Sequence, residues 1–244
     1  NGKFVVDPQV VKEKTDTKNE DGTVTTTYKL QEDLKWSNGE GITAKDYVFR
    51  YLYFSSPQLV EMGATDNTEG AKLVGFADFN SGKSKVFKGV RLLGDYEFSV
   101  TINKDYLPNY YQDALAASGA GYMKGWLPAD YDIKDDGKGA YFTKDLDAKK
   151  LKKQANEYRM NMTAYSGPYM KEKYDETSNT YTLVKNPNYK GNYEGQKPHI
   201  DTVIYKFVQT ETQMDELATG GVDILVKMGE ANEINSGMDL VDKG

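Results

Sequence analysis

The chain has 244 residues, no cysteine, one histidine and a formal net charge of −6. The acidic balance argues against a nucleic-acid partner, which would need a basic face for phosphates, and the lack of cysteine excludes disulfides, thiolate zinc sites and cysteine nucleophiles. The sequence contains no apolar run of about 18 residues and its first residues are not a signal peptide, so we expect one large or two small domains that start inside a mature region.

The first predicted elements form a hairpin. Asp21-Gly22 is a strong turn signal, and the alternation from Val24 to Leu30 predicts a strand with one buried face. We predict its partner strand within the run from Lys3 to Val11. The cluster of Ser, Asn and Gly from Ser37 to Gly41 predicts a tight turn after the strand.

A capped helix follows that turn. Thr43 and Asp46 have the spacing of a capping box, in which each side chain satisfies a backbone N–H of the first turn. Apolar residues then recur at helical spacing as far as Phe54. The helix is predicted to end at Ser55 to Pro57.

The stretch from Tyr28 to Pro57 resembles the hallmark segment of the family 5 extracellular solute-binding proteins, the receptors that feed oligopeptide, dipeptide and nickel ABC importers. In that family a strand ends in a Leu-Arg-Lys-Gly-Val-Lys-Phe/Trp-type run, an Asp-Gly or Asn-Gly turn follows, and Thr-Ala-x-Asp opens a helix. The departures lie at Gln31 to Asp33, in a predicted surface turn. The matching residues are Leu30, Leu34, Lys35, Trp36, Asn38, Gly39, Thr43, Ala44 and Asp46.

The middle of the chain is predicted to hold a second hairpin. Residues 58–84 are irregular with short helical turns, and the next segment reads as two strands, from Val90 to Leu92 and from Tyr96 to Ile102, joined by a turn at Gly94-Asp95. The run from Asp105 to Ala117 predicts a helix with Pro108 in its first turn, ended by Gly119 or Gly121.

The segment from 128 to 189 carries a second match to the same family. Residues 128–145 are rich in Asp, Gly and Lys and read as a solvated loop, and Leu146 to Tyr158 reads as a charged helix with a narrow apolar stripe of Leu151, Ala155 and Tyr158. The family's second hallmark is a Gly-Ser/Thr-Gly-Pro-Tyr/Phe run that begins a strand and a later strand that closes in Arg/Lys-Asn-Pro-x-Tyr. Ser166 to Tyr169 and Lys185 to Tyr189 resemble it, with Tyr165 in place of the first Gly.

The last part of the chain is predicted to be a strand, a helix and a strand. Asp201 to Val208 is apolar on both faces and reads as a central strand. Thr210 and Gln213 have capping-box spacing, the helix ends at Gly220-Gly221, and Val222 to Leu225 starts another strand, which implies a parallel, right-handed crossover. Gly221 to Ile224 also matches a Gly-Glu/Val-Asp-Ile/Leu run of the family.

Signals for enzymes and metal sites are weak. Gly82-Lys83-Ser84 lacks the Gly of a phosphate-binding loop, since Ala77 stands there. A calcium loop at 130–141 would have Lys134 at a ligand position and Tyr141 where the bidentate Glu belongs. His199 is more consistent with a structural residue at a strand edge, although a serine triad assembled in space stays open. We expect no metal, no cofactor and no catalytic residue, with a peptide or glycoside hydrolase that uses paired carboxylates as the alternative from another class.

The candidate binding segment is the loop from residue 118 to 126. Glycines allow a ligand to approach the backbone closely, and aromatic side chains supply contact area with few rotamers to freeze. The alternative is a helix end whose aromatics pack in the core. The resemblance favours binding, because in the family the loop after this helix faces the cleft between two lobes. The candidates are Ser118, Gly119, Gly121, Tyr122, Met123 and Trp126.

The resemblance implies an α/β fold, with a mixed β-sheet and flanking helices, that forms one lobe of a type II-like periplasmic binding protein. Family members are longer and two-lobed and close by hinge motion, so we expect residues 1–244 to be a partial lobe I, with an N-terminal part (1–57), a middle part (58–164) and a part leading toward lobe II (165–244).

The resemblance also implies a function outside the cytoplasm. It predicts the substrate-binding component of an ABC importer, a monomer that captures oligopeptides or dipeptides and delivers them to permease subunits. The full-length form is expected to be a lipoprotein whose anchor is absent from this chain. A nickel chelate or an oligosaccharide is the alternative ligand within the family.

Overall fold

The computed structural model describes residues 5–243. None of the helices in this range is long and apolar enough to cross a membrane. The chain forms two compact units, residues 5–170 with 185–201 (the first unit) and residues 171–184 with 202–243 (the second unit). The strands are β1 (Val11–Lys18), β2 (Val24–Leu30), β3 (Val90–Gly94), β4 (Glu97–Ile102), β5 (Ile133–Asp135), β6 (Ala140–Phe142), β7 (Tyr169–Asp175), β8 (Thr180–Lys185) and β9 (Thr202–Lys206). The α-helices are α1 (Ala44–Tyr53), α2 (Pro57–Glu61), α3 (Phe76–Asn80), α4 (Gln112–Ala116), α5 (Met123–Trp126), α6 (Ala148–Met160), α7 (Gln213–Ala218) and α8 (Ala231–Lys243).

The first unit is built on an antiparallel sheet with the order β1-β2-β4-β3. The predicted strand β2 and its turn are confirmed, but the partner strand is β1 and not the run from Lys3 to Val11. Gly22 adopts φ +85 and closes a short loop, so Lys18 faces Val24 and the partner must directly precede the turn. The residues before β1 instead turn at Asp7, while Lys3 lies outside the described residues.

The second hairpin is confirmed with a shifted turn. Gly94 pairs with Glu97, so the two turn residues are Asp95 and Tyr96 and not Gly94-Asp95. A register irregularity between Leu92 and Gly94 accounts for the shift, because the extra residue moves the turn by one position.

The long helix predicted from Asp105 to Ala117 is wrong. A short 3₁₀ helix covers Lys104–Tyr106, Leu107 is extended at φ −122 and ψ 148, and only α4 is α-helical. The physical reason is Pro108, whose ring disfavours the α conformation at the residue before it.

Helix α1 is the centre of the first unit's core. The predicted capping box is present: the Thr43 backbone N–H donates to Asp46 Oδ2 at 3.0 Å. The buried face of α1 packs on the sheet, where the Tyr47 and Phe98 rings stack with centroids 5.2 Å apart. The helix ends at Tyr53, and the short helices α2 and α3 lie in the predicted irregular segment.

The segment from 128 to 145 is not a solvated loop. It folds into the hairpin β5–β6, in which Ile133 and Ala140 are buried, and the Phe87 N–H donates to the Ala140 carbonyl at 2.9 Å. The apolar residues of this hairpin are few, and the abundance of Asp, Gly and Lys hid them.

The charged helix is confirmed as α6, which starts two residues later than predicted. The Asp147 side chain caps it by accepting the N–H groups of Lys149 and Lys150. Its predicted stripe of Leu151, Ala155 and Tyr158 is buried.

The two hallmark motifs meet in the first unit. Ser37 and Tyr165 exchange hydrogen bonds: the Ser37 N–H donates to the Tyr165 carbonyl at 2.9 Å, and the Tyr165 N–H donates to Ser37 Oγ at 3.1 Å. Asn186 Nδ2 donates to the Tyr165 and Gly167 carbonyls, and Asn188 Nδ2 donates to the Trp36 carbonyl at 2.8 Å. The motifs are therefore a structural clamp that holds two distant segments together.

The second unit contains the sheet β7-β8-β9 and the helices α7 and α8. The central strand predicted at Asp201 to Val208 is wrong, because β9 pairs only with β8 among the described strands and lies at a sheet edge. Ile204 and Phe207 are 65% and 63% exposed. Apolar residues on both faces of this strand therefore do not indicate burial within the described chain.

The predicted capping box at Thr210 does not form, and the predicted strand from Val222 to Leu225 is absent from the described residues. Helix α7 has its N-cap at Thr212, and its C-terminal end lies near Gly220 as expected. The Gly221 and Val222 N–H groups both donate to the Glu216 carbonyl, which holds them in a turn at the helix end. Without an extended segment there, the parallel crossover is not formed.

Candidate ligand-binding site

The segment between α4 and α5 is fixed to α1. The Tyr51 hydroxyl donates to the Ala116 carbonyl at 2.7 Å, and the Gly121 N–H donates to the Asp46 carbonyl at 3.0 Å. The Met123 N–H contacts Asp46 Oδ1 at 3.4 Å. The capped helix therefore sets the position of the loop that the sequence singles out as a binding segment.

Asp46 serves both the cap and the loop. Its Oδ2 accepts from Thr43 in the first turn of α1, and its Oδ1 faces Met123. Burial raises the pKa of the Asp46 carboxyl, while the N–H groups of Thr43 and Met123 oppose that rise. The carboxyl is engaged through both oxygens, which makes its role structural.

Beside this loop the first unit contains a cavity of about 1110 Å³, which we call the large cavity. Charged side chains on its walls form ion pairs: Lys45 Nζ lies 2.8 Å from Asp132 Oδ1, and Lys124 Nζ lies 2.6 Å from Glu40 Oε2. Its walls thus combine apolar side chains with charges of both signs. Its wall residues are Trp36, Glu40, Gly41, Thr43, Lys45, Asp46, Leu92, Leu93, Gly94, Asp95, Tyr122, Met123, Lys124, Leu127, Pro128, Ala129, Asp130, Tyr131, Asp132, Ile133, Lys134 and Asp135.

Two carboxylates of the large cavity, those of Asp132 and Asp135, have lowered pKa values. Burial alone would raise the pKa of Asp132, but the hydrogen bond from Lys45, the Ile133 N–H and the charge of Lys45 together lower it. Burial likewise acts to raise the pKa of Asp135, and the hydrogen bond from Arg91, whose Nε lies 2.7 Å from Asp135 Oδ2, lowers it overall together with the Gly137 and Leu92 N–H groups. A carboxyl that acts as a general acid needs a raised pKa. These two groups have the opposite shift.

A second, smaller cavity of about 350 Å³ lies in the same unit, and we call it the small pocket. Its floor is a stack of three rings, with the Phe98 centroid 5.2 Å from Tyr28 and 5.2 Å from Tyr47. It shares no wall residue with the large cavity. The wall residues are Val5, Val6, Asp7, Val10, Val11, Lys14, Tyr28, Leu30, Tyr47, Phe98, Asp113, Ala116, Ala117, Ser118 and Gly119.

The structure places four of the six predicted site residues on the walls of these two cavities. Tyr122 and Met123 line the large cavity, and Ser118 and Gly119 line the small pocket. Ser118 Oγ also donates to Glu69 Oε1 at 2.6 Å.

Gly121 and Trp126 line neither cavity. A Cβ at Gly121 would lie 3.0 Å from the Phe49 ring, so any larger residue would have to displace that ring slightly. Trp126 packs against the rings of Tyr53, Phe54 and Tyr158. The contacts of both residues are packing contacts, and a role in ligand binding stays a prediction for all six.

Tyr122 links the loop to the first hallmark turn. Its ring packs edge-on against Trp36 at a centroid distance of 5.4 Å, and its hydroxyl accepts a hydrogen bond from Asn38 Nδ2 at 3.2 Å. Burial raises the pKa of the Tyr122 hydroxyl above its ordinary value. The hallmark turn is thus a wall of the large cavity as well as a family marker.

Sequence reasoning missed the residues that face this loop. Lys45, Asp132 and Asp135 lie in or beside the cavity wall, but residues 128–145 read as solvated loop. The alternation of Tyr131 and Ile133 with polar neighbours is the signal that would have revealed a strand there.

The acidic run at 130–136 is engaged in ion pairs. Asp130 Oδ2 lies 2.9 Å from Lys144 Nζ, and Asp132 and Asp135 pair with Lys45 and Arg91. Within residues 5–243 there is no cluster of three or more His, Asp or Glu side chains placed to hold a metal ion. The aspartates of this run therefore contribute to packing and charge balance.

Two peptide-binding proteins of Lactococcus lactis align with most of this chain. It is 28% identical over 202 residues to the oligopeptide-binding protein OppA of Lactococcus lactis subsp. lactis, an alignment that covers 82% of this chain and 30% of that protein. It is 27% identical over 201 residues to the dipeptide-binding protein of Lactococcus lactis subsp. cremoris (strain MG1363), covering 78% of this chain and 31% of that protein. The chain thus spans about a third of the length of these relatives.

A solved structure and a family model also match this chain to solute-binding proteins. The structure of lactococcal OppA complexed with an endogenous peptide in the closed conformation matches with a TM-score of 0.62 at 22% identity, over 88% of this chain and 36% of that one. This likeness bears on the fold. The model of the bacterial extracellular solute-binding proteins, family 5 Middle, matches residues 6–239. The chain therefore belongs to the family 5 bacterial extracellular solute-binding proteins.

Proposed function

We propose that this chain is part of the peptide-capturing component of an ABC importer. The observation that carries the proposal is the match of residues 6–239 to one family of solute-binding proteins. The relatives support a peptide as the ligand, since one is an oligopeptide-binding protein and another a dipeptide-binding protein. Because the chain spans about a third of their length, it supplies one part of the whole receptor.

The large cavity is the proposed place of capture. Pockets for small ligands have volumes of roughly 300–1000 Å³, so a cavity of about 1110 Å³ has room for a short peptide. A peptide main chain offers donors and acceptors at fixed spacing, which suits walls carrying both signs of charge such as Lys45 with Asp132 and Lys124 with Glu40. Tyr122 and Met123 supply apolar contact area beside these pairs.

The chain is proposed to be a partial lobe I of a two-lobed receptor, with the ligand held between the lobes. The same proposal places the receptor outside the cytoplasmic membrane, as a monomer anchored as a lipoprotein in its full-length form, and makes the permease subunits its partners. Family membership supports an extracellular location.

Capture is proposed to proceed without covalent chemistry. The hydrolase alternative needs a proton-donating carboxyl next to an ionised one. The pKa values of Asp132 and Asp135 are lowered. The pKa of Asp46 is raised, but both of its oxygens are engaged by backbone N–H groups of Thr43 and Met123. No specific contact of this chain favours a nickel chelate or an oligosaccharide over a peptide.

The test is a titration followed by nuclear magnetic resonance, which detects weak binding. We expect N-acetyl-Ala-Ala-Ala amide, added to the 15N-labelled 244-residue chain, to shift the Tyr122 and Met123 amide signals. Tyr122→Ala should weaken binding about tenfold, the equivalent of about 1.4 kcal/mol.

Tyr205→Ala is the matched control, because Tyr205 is 53% exposed in the second unit. It should leave the affinity unchanged. An absence of shifts around the large cavity would contradict the proposed place of capture. Cleavage of the peptide that a single Asp or Glu substitution abolishes would contradict the proposed function.

A further inference from the structure

The small pocket has the size of a site for one side chain. Its volume of about 350 Å³ lies at the low end of the range for ligand pockets, roughly 300–1000 Å³, and is a third of the large cavity. Ring stacking of Tyr28, Phe98 and Tyr47 provides a flat apolar floor. Burial raises the pKa of Tyr28 to about 12, so that ring stays uncharged at neutral pH. Such a floor fits an aromatic or large aliphatic side chain.

The rim of the small pocket is acidic. Lys14 Nζ lies 2.7 Å from Asp113 Oδ1 and 2.6 Å from Asp16 Oδ2, so one ammonium group serves two carboxylates. Asp7 and Asp113 are the two carboxylates on the pocket wall, where Lys14 is the one cation, and Asp16 lies outside the wall. The Asp113 side chain is 44% exposed and faces solvent beside its partner. The rim therefore has a net negative charge that attracts a cation next to the apolar floor.

The mouth of the pocket admits a peptide main chain. At Gly119 no atom lies within 4 Å of the place where a Cβ would stand, so the space beside its backbone is open. Ala117 is exposed and Ser118 is half-buried, and both belong to the loop that leads on to the large cavity wall at Tyr122. A peptide lying along this loop can place a side chain in the pocket.

We propose that the small pocket binds an aromatic or large aliphatic side chain of the captured peptide and that it favours peptides in which this residue is followed by Lys or Arg. This inference rests on the proposed function and names the ligand class for it. The apolar side chain lies on the ring stack, and the basic side chain pairs with Asp113 at the rim.

The experiment compares three probes on the 244-residue chain with labelled methyl groups. They are the N-acetylated amides Phe-Lys, Ala-Lys and Phe-Glu. Phe-Lys is expected to shift the Val10, Val11 and Ala116 methyl signals. Ala-Lys should bind about 10-fold more weakly or worse, from the lost apolar burial, and Phe-Glu about 3-fold more weakly, as for a half-exposed ion pair.

Two variants locate the effects. Ala117→Trp fills the mouth from an exposed position and should abolish the methyl shifts, with the thermal midpoint checked to show that the variant is folded. Asp113→Asn should remove the preference for Phe-Lys over Phe-Glu while keeping the preference for Phe over Ala. Asp223→Asn, an exposed carboxylate in the second unit, is the matched control and should change neither preference.

The outcomes separate this inference from the proposed function. Shifts at Tyr122 without shifts at the pocket methyls overturn the inference and leave peptide capture standing, whereas pocket shifts without Tyr122 shifts contradict capture in the large cavity. Equal binding of Phe-Lys and Phe-Glu overturns the basic-neighbour preference. Methyl shifts that follow protein concentration in the absence of peptide would assign the pocket to a second copy of the chain and overturn the inference.

Discussion

The two units differ in how much of their apolar surface is buried. In the first unit α1 and the sheet enclose a core in which Val48, Phe87 and Ile102 have no exposed surface. In the second unit Thr182 is the one buried residue among those described. Large apolar side chains that are exposed there are Tyr174, Tyr181, Ile204, Tyr205, Phe207, Ile224, Val226, Ile234, Met238 and Val241. The difference indicates that the stability of the described chain resides in the first unit.

The sharpest test of this difference substitutes one phenylalanine in each unit. Phe87 is fully buried and stacks on Phe79 with centroids 4.9 Å apart, so Phe87→Ala should lower the free energy of unfolding by about 3–5 kcal/mol through the cavity it leaves. Phe207→Ala, at 63% exposure, should change it by less than about 0.5 kcal/mol. Urea unfolding followed by circular dichroism measures both. If both substitutions lower the free energy of unfolding equally, the second unit contributes as much to stability as the first.

The clamp between the hallmark motifs gives the next largest effect. Asn186 is buried, donates to two carbonyls and accepts the Asn188 N–H at 3.0 Å. Asn186→Ala leaves these partners unsatisfied and should lower the free energy of unfolding by about 1–3 kcal/mol in the same urea experiment.

Asn232 provides the matched control for Asn186, because it is exposed on helix α8 of the second unit. The free energy of unfolding of Asn232→Ala should lie within about 0.5 kcal/mol of that of the unsubstituted chain. If both substitutions cost the same, the hydrogen bonds of the clamp do not stabilise the first unit.

A smaller effect concerns the pH dependence of stability. The pKa of Asp135 is lower in the folded chain than in the unfolded one, so its ion pair with Arg91 stabilises the fold above the unfolded pKa, about 3.9, and this contribution is lost as pH falls through the folded pKa. Asp135→Asn should lower the free energy of unfolding at pH 7 by about 1–2 kcal/mol. The free energy of unfolding should then decrease less below pH 4 in this variant than in the unsubstituted chain.

The control for the ion pair lies in the second unit, where Glu216 pairs with Lys206 at 2.8 Å and both side chains are about one third exposed. Glu216→Gln should change the stability at pH 7 by less than about 0.5 kcal/mol, as is usual for exposed pairs. A steeper loss of stability below pH 4 in Asp135→Asn than in the unsubstituted chain would contradict the assigned direction of the pKa shift.

The elements that the sequence predicts correctly depend on local signals. The Thr43 and Asp46 cap, the stripe of α6 and the turn at Gly22 are each determined within a few residues. The errors arise where a second local feature overrides or hides the pattern. Pro108 interrupts a helical pattern, and the alternation of Tyr131 and Ile133 at the short strand β5 is hidden by the charged residues around it.

The candidate site is only partly readable from sequence. The glycines and aromatics of the loop identify it as a segment, but the two cavities that it borders depend on residues far away in the chain. The ring stack of Tyr28 and Phe98 forms by pairing of β2 with β4, and the ion pair of Lys45 with Asp132 joins α1 to the start of β5. Neither contact has a local signature, because both are products of tertiary packing.

The clamp also determines when the first unit can be completed during synthesis. The hydrogen bonds that join Ser37 to Tyr165 and Trp36 to Asn188 span 128 and 152 residues. Contacts of such long range form late, because the entropy of closing the loop must be overcome first. A nascent chain is synthesised from its N-terminus. More than half of the chain must therefore be synthesised after Trp36 before Asn188 is available to donate to the Trp36 carbonyl.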